Sequence, residues 1–134
     1  MQYLLTAFLG AASLCFAATQ SGDPSKDRGA IVYKQFCLAC HQADGSGVPM
    51  ANPPLVRTSY VTGDKRKLIT WVLKGTSAGK EPIDGKRYPN NMAPMSFLTD
   101  QQIADVLTYI RSSFGNQAPA VSRVEVKKMR DALK

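Results

Sequence analysis

Residues 37–41 read Cys-Leu-Ala-Cys-His, and this short stretch constrains the architecture more tightly than any other part of the chain. Two thiols three positions apart can each add to a haem vinyl group, while the imidazole that follows reaches the iron. The porphyrin's own dimensions dictate that spacing. Cys37 and Cys40 are therefore candidate covalent attachment points, and His41 is the candidate axial ligand.

Other chemistries compete for the same residues. A structural zinc ion takes four ligands, usually Cys or His. Beyond its first segment the chain offers only Cys37, Cys40 and His41, too close together to complete a tetrahedron. A redox dithiol usually sits between a strand and a helix, and no strand pattern precedes Cys37. A short-range disulfide in a non-haem structural module is a further reading.

With a single histidine in the chain, the far side of an iron must take a thioether, water, a lysine or nothing, and methionine is the soft, neutral choice. Of five methionines, Met1 lies in the leading segment, Met50 follows His41 closely in a Pro/Gly-rich loop, and Met129 lies in the tail. Met92 and Met95 remain, and one of the pair fills core space or lies beside the haem without ligating. An imidazole opposite a thioether occupies both axial positions and suits outer-sphere electron transfer. Tyr33, Phe36, Trp71, Tyr88, Phe97 and Tyr109 are candidates for apolar walls.

Working outward, strand signals are scarce and capped helical patterns recur, so the fold class is all-α with long irregular connections. A first helix begins between Asp23 and Ser25, with Pro24 in its first turn, and its stripe of Ala30, Tyr33, Cys37 and Cys40 predicts inward-facing cysteines. Gly45, Gly47, Pro49, Pro53 and Pro54 make 41–60 an irregular loop. Asp64 caps a second helix, which pairs Leu68 with Val72 and Ile69 with Leu73, puts Trp71 at its buried edge and ends at Gly75. Residues 76–97 are again irregular, with a tight turn at Asp84-Gly85. Thr99 and Gln102 form a capping box for a helix with Ile103, Val106, Leu107 and Ile110 on one stripe. Ser122 and Glu125 repeat that spacing ahead of a short basic tail helix.

Residues 1–17 are uncharged and largely apolar, and small residues at 15 and 17 place cleavage of an export signal after Ala17. The run is shorter than the roughly 20 apolar residues that a membrane anchor needs, and no transmembrane span is expected once it is removed. Cleavage takes Cys15 with it, so no disulfide framework can be built. Lys plus Arg exceed Asp plus Glu by 17 to 10, for a net charge of +7. In an exported chain without a basic and aromatic strip, this favours acidic partner proteins over nucleic acid. The expected organisation is a signal peptide at 1–17, a linker at 18–28, a domain at 29–117 and a tail helix at 118–134.

These motifs together resemble the class I c-type cytochromes: Gly29 and Tyr33 ahead of Cys37–His41, Asp44-Gly45-Ser46-Gly47 after it, Pro53-Pro54-Leu55, Met92, and the run from Leu98 to Arg111. The resemblance implies a small cytochrome c fold of about four helices around one covalent haem c. Its first and last main helices would cross near Gly29, Tyr33, Val106 and Tyr109. It also implies that Pro53 lends its carbonyl to His41. Counting back six residues from Leu98, where the family commonly has its methionine, gives Met92; Ala93 stands where the family often has proline, so Met95 stays the alternative ligand. Residues 75–116 look especially like cytochromes that accompany or are fused to periplasmic copper nitrite reductases, quinoprotein or sulfite dehydrogenases, and terminal oxidases. The implied role is a periplasmic mono-haem carrier or electron-transfer subunit that serves redox proteins with acidic docking surfaces and performs no substrate chemistry. The alternative is a haem enzyme or gas sensor with an open distal iron.

Overall fold

A computed structural model describes residues 23–134. The expected export signal and the start of the 18–28 stretch lie outside the described residues. Six α-helices occur among them: α1 (Pro24–Phe36), α2 (Leu38–His41), α3 (Ser59–Thr62), α4 (Lys65–Lys74), α5 (Asp100–Arg111) and α6 (Arg123–Ala132). Four are substantial, and α2 and α3 are single turns. Extended pairing in this region is limited to two isolated bridges, Val48 with Asn52 and Ile83 with Lys86. None of these helices is long and apolar enough to cross a membrane.

Each long helix starts where a side chain can accept from its unpaired backbone N–H groups. Asp23 accepts from Ser25 N and Asp64 from Arg66 N, while Thr99 with Gln102 and Ser122 with Glu125 form complete capping boxes. Because Asp23 caps α1 and Pro24 occupies its first turn, helix replaces the expected linker from residue 24 onward. The turn at Asp84-Gly85 also forms. Ile83 and Lys86 exchange backbone hydrogen bonds of 2.9 and 3.0 Å, with both turn residues at positive φ.

α1 packs across α5 at Gly29. A Cβ on that residue would collide with Asp105 O and lie 2.7 Å from Tyr109 Cβ, so only a glycine lets the two backbones approach this closely. Asp105 is almost completely buried at the same crossing and accepts from Arg28 Nε (2.7 Å), Arg28 Nη2 (2.9 Å), Gln101 Nε2 (2.9 Å) and Ser25 Oγ. The expected stripe of Ile103, Val106, Leu107 and Ile110 is buried, as are the polar residues Asp105, Thr108 and Arg111. α5 is thus the central helix, enclosed on more than one side.

α6 packs on α5 and α4 and is part of the same body. Val126, Met129 and Leu133 recur at helical spacing and join the core together with Val121. Thr108 Oγ1 bonds both Val121 N (3.1 Å) and Val121 O (3.2 Å), and Lys65 pairs with Glu125 at 3.0 Å. The core therefore continues past residue 117, where the sequence suggested that the domain ends.

Candidate functional site

The Cys37–His41 motif straddles a break in the helix. α1 ends at Phe36, Cys37 is its C-cap, and α2 carries Cys40 and His41. Cys37 is half-buried and packs against the core, and Cys40 is exposed. Both thiols are free. Burial pushes the Cys37 thiol up to about 11, with the neighbouring Cys40 adding to the shift. Redox-active dithiols depend on a depressed thiol pKa, so this environment weighs against that reading. Among the described residues, no cluster of three His, Cys, Asp or Glu side chains is arranged to hold a metal ion.

His41 is held from one side. Its Nδ1 donates to Pro53 O at 3.0 Å, since a carbonyl can only accept. That bond fixes the tautomer and leaves the Nε2 lone pair as the imidazole's donor to a metal. Burial lowers the imidazole pKa, and the Pro53 bond only partly opposes the shift, so the ring is neutral at neutral pH.

The loop after His41 is pinned at several points. Tyr33 Oη donates to Gln42 O (2.7 Å), Gly47 N to His41 O (3.1 Å) and Leu55 N to Gly45 O (2.7 Å). Gly47 has a φ of +70°, and a Cβ there would come 2.6 Å from Pro53 O, the acceptor for His41. Asn116 ties this loop to the end of α5. Its side chain accepts from Arg57 N (2.7 Å) and donates to Leu55 O (3.0 Å) and Ile110 O (2.8 Å).

The second irregular stretch folds back to the motif. Asn90 N lies 3.4 Å from Ala51 O, Asn90 Nδ2 donates to Asn52 Oδ1 (3.1 Å), and Asn52 Nδ2 donates to Cys40 O (3.2 Å). The two candidate methionines differ in setting. Met95 is half-buried against the core, with its backbone N donating to Val72 O at 2.9 Å. Met92 is also half-buried but lies outside that cluster, and its carbonyl accepts from Thr76 N at 3.0 Å. Met50 is 86% exposed. Of the aromatic candidates, Phe36 packs edge-on against Phe97, Trp71 packs against Tyr60, and Tyr33 and Tyr109 pack with Phe114.

Charge is distributed unevenly. Residues 88–99 carry no charged side chain, and residues 35–56 carry only Asp44, aside from His41. The stretch 65–87 holds seven Lys or Arg against two acids, and 123–134 holds five against two. Most of the basic groups therefore lie in 65–87 and the tail, with Lys26, Arg28 and Lys34 on α1, rather than in the segments that carry Cys37–His41 and Met92.

A helical body that presents two free thiols, a tautomer-locked imidazole and a loop-borne thioether belongs to the class of c-type haem domains. The family model described as Cytochrome c matches residues 27–114. The chain is 36% identical over 121 positions to the cytochrome c subunit of alcohol dehydrogenase (quinone) from Gluconacetobacter polyoxogenes, covering 83% of this chain and 24% of that protein. It is 33% identical over 111 positions to cytochrome c-552 of Thermus thermophilus, covering 76% and 83%. It is 34% identical over 107 positions to the fructose dehydrogenase cytochrome subunit of Gluconobacter japonicus, covering 76% and 22%. The chain spans about a quarter of the length of these dehydrogenase subunits and most of cytochrome c-552. The protein belongs to the cytochrome c family, as a class I member, and that membership implies haem c as its cofactor.

Proposed function

We propose that this protein is an exported, periplasmic mono-haem electron carrier or electron-transfer subunit that passes single electrons between redox proteins. The observation that carries this reading is the His41–Pro53 hydrogen bond beside two free thiols, because it leaves the other imidazole nitrogen free to ligate a metal within a covalent attachment motif. The residues present fit haem c: Cys37 and Cys40 would attach it, and His41 Nε2 and the Met92 thioether would be its ligands from the protein. Haem bound in this way supplies a reversible one-electron change. The chain's own residues orient the imidazole through Pro53, would offer a soft donor in Met92, and limit reorganisation by holding both loops in hydrogen bonds.

Met92 is preferred over Met95 because Met95 already packs against the core, whereas Met92 sits outside it on a strap anchored through its own backbone carbonyl. Residues 88–99 are uncharged and residues 35–56 carry only Asp44 besides His41, which suits close approach of a partner near the motif. The basic groups on α4 and α6 steer acidic partners from a distance. Dehydrogenases are candidate donors, since several relatives are named as dehydrogenase cytochrome subunits.

The test is the near-infrared band of a methionine-to-iron bond in the oxidised, haem-loaded protein. Met92→Ala is expected to abolish the band and open the iron to carbon monoxide when reduced, while Met95→Ala keeps the band and lowers stability by about 2 kcal/mol. Strong carbon monoxide binding by the wild type, with no such band, contradicts the carrier reading and favours a sensor or enzyme.

A further inference from the structure

The tail lies beyond the 27–114 family match, yet it reaches back to the segment that carries Met92. Arg130 of α6 donates from Nη1 to Ser96 O (2.7 Å) and from Nη2 to Leu98 O (2.7 Å). Its Nε pairs with Asp100 Oδ1 at 2.7 Å, and its side chain is only 24% exposed. One planar guanidinium thus grips the backbone on both sides of Phe97, while a carboxylate in the first turn of α5 balances its charge. A lysine, with a single point charge on a flexible stem, cannot reproduce this fork.

The strap from Met92 to Leu98 has its other anchors on the end of α4 and the turn after it. Thr76 N donates to Met92 O and Met95 N donates to Val72 O. The family-matched body holds the strap at its start and middle and, through the buried Leu98 side chain and the Leu98 N to Met95 O bond, at its end; the Arg130 fork adds two ties to the backbone carbonyls there. α6 has further ties of its own through Val126, Met129, Leu133 and the Lys65–Glu125 pair, so loss of the Arg130 fork need not undock the helix.

We propose that Arg130 is a positioning residue for the Met92 thioether: by tying Ser96 and Leu98 to α6, it makes the tail helix contribute to how firmly the methionine strap is held. The proposal rests on the assignment of Met92 as distal ligand. It gives the tail a role in the redox site that the attachment motif alone does not suggest.

The experiment compares haem-loaded wild type with Arg130→Met, Arg130→Lys and, as a control, Lys65→Met, which removes the α4 partner of Glu125 at the other end of α6. It reads amide hydrogen exchange at Met95 and Leu98, and the pH at which the near-infrared band disappears on alkalinisation. Arg130→Met is expected to speed exchange at both amides about tenfold or more and to move loss of the band to lower pH, with Arg130→Lys intermediate and Lys65→Met unchanged at the strap. Should Arg130→Met fail to fold, Arg130→Lys carries the comparison. Strap exchange within about twofold of wild type, or an equal effect of Lys65→Met, overturns the proposal. Faster exchange with an unmoved band makes Arg130 a structural tie alone and overturns its positioning role. A wild type without the band removes the Met92 assignment and the positioning of Met92 with it, and exchange at Met95 and Leu98 then still reports whether the fork braces the strap.

Discussion

Asn116 joins three segments through one side chain: its amide serves the backbone of Arg57, Leu55 and Ile110 from a buried position. Removing it takes a partner from one donor and two acceptors in a setting that is buried at Ile110 O and partly buried at Arg57 N and Leu55 O. Asn116→Ala is therefore expected to cost about 1–3 kcal/mol, measured by urea unfolding, and Asn116→Asp should also destabilise because a carboxylate cannot donate to the two carbonyls. The attachment motif could be read directly from the sequence because covalent chemistry fixes its spacing. Asn116 could not, nor could Arg111, which is buried and donates to the carbonyls of Pro119, Val61 and Gly63. Each is an ordinary surface residue type whose burial depends on partners distant in sequence. The proximity of Pro53 to His41 was suggested only by resemblance, since no local spacing places a carbonyl against an imidazole.

At the scale of elements, the α1–α5 crossing couples packing to titration. Burial by itself would raise the Asp105 carboxyl, but hydrogen bonds from Arg28, Ser25 and Gln101 outweigh it and hold the group below the usual carboxylate range. A depressed folded pKa stabilises the fold fully above the unfolded value of about 3.9, and that contribution is lost as pH falls through the folded value. Unfolding free energy should thus decline on acidification below about pH 4. Asp105→Asn should be less stable than wild type at pH 7 and show a shallower acid decline, and identical slopes would contradict this account. The long helices were legible because their caps and apolar spacings are local. The one-turn helices α2 and α3 were not, since four residues carry too little periodicity. The break at Cys37 was not legible either, because the stripe of Ala30, Tyr33 and Cys37 runs through it at unbroken helical spacing.

For the whole molecule, docking and steering are assigned to different surfaces. The segments around the motif and Met92 are nearly uncharged, while most of the positive charge lies in 65–87 and the tail. Oxidation by the anionic probe hexacyanoferrate should slow as salt rises across roughly the range in which the screening length falls below 10 Å. Lys67→Glu or Lys128→Glu should slow it mainly at low salt. A rate independent of salt contradicts long-range steering. The basic tail was visible in the sequence as a capped helix, but its docking was not, because the Arg130 fork and the Thr108–Val121 bonds are tertiary contacts.

The most direct test of the central claim is the intact mass, under denaturing conditions, of the protein matured in a bacterial periplasm with a c-type haem attachment system. The account predicts a chain beginning at Ala18 that carries the mass of one haem, and a chain without haem in the Cys37→Ala, Cys40→Ala double variant. A wild-type chain without bound haem, or haem retained by the double variant, would contradict it.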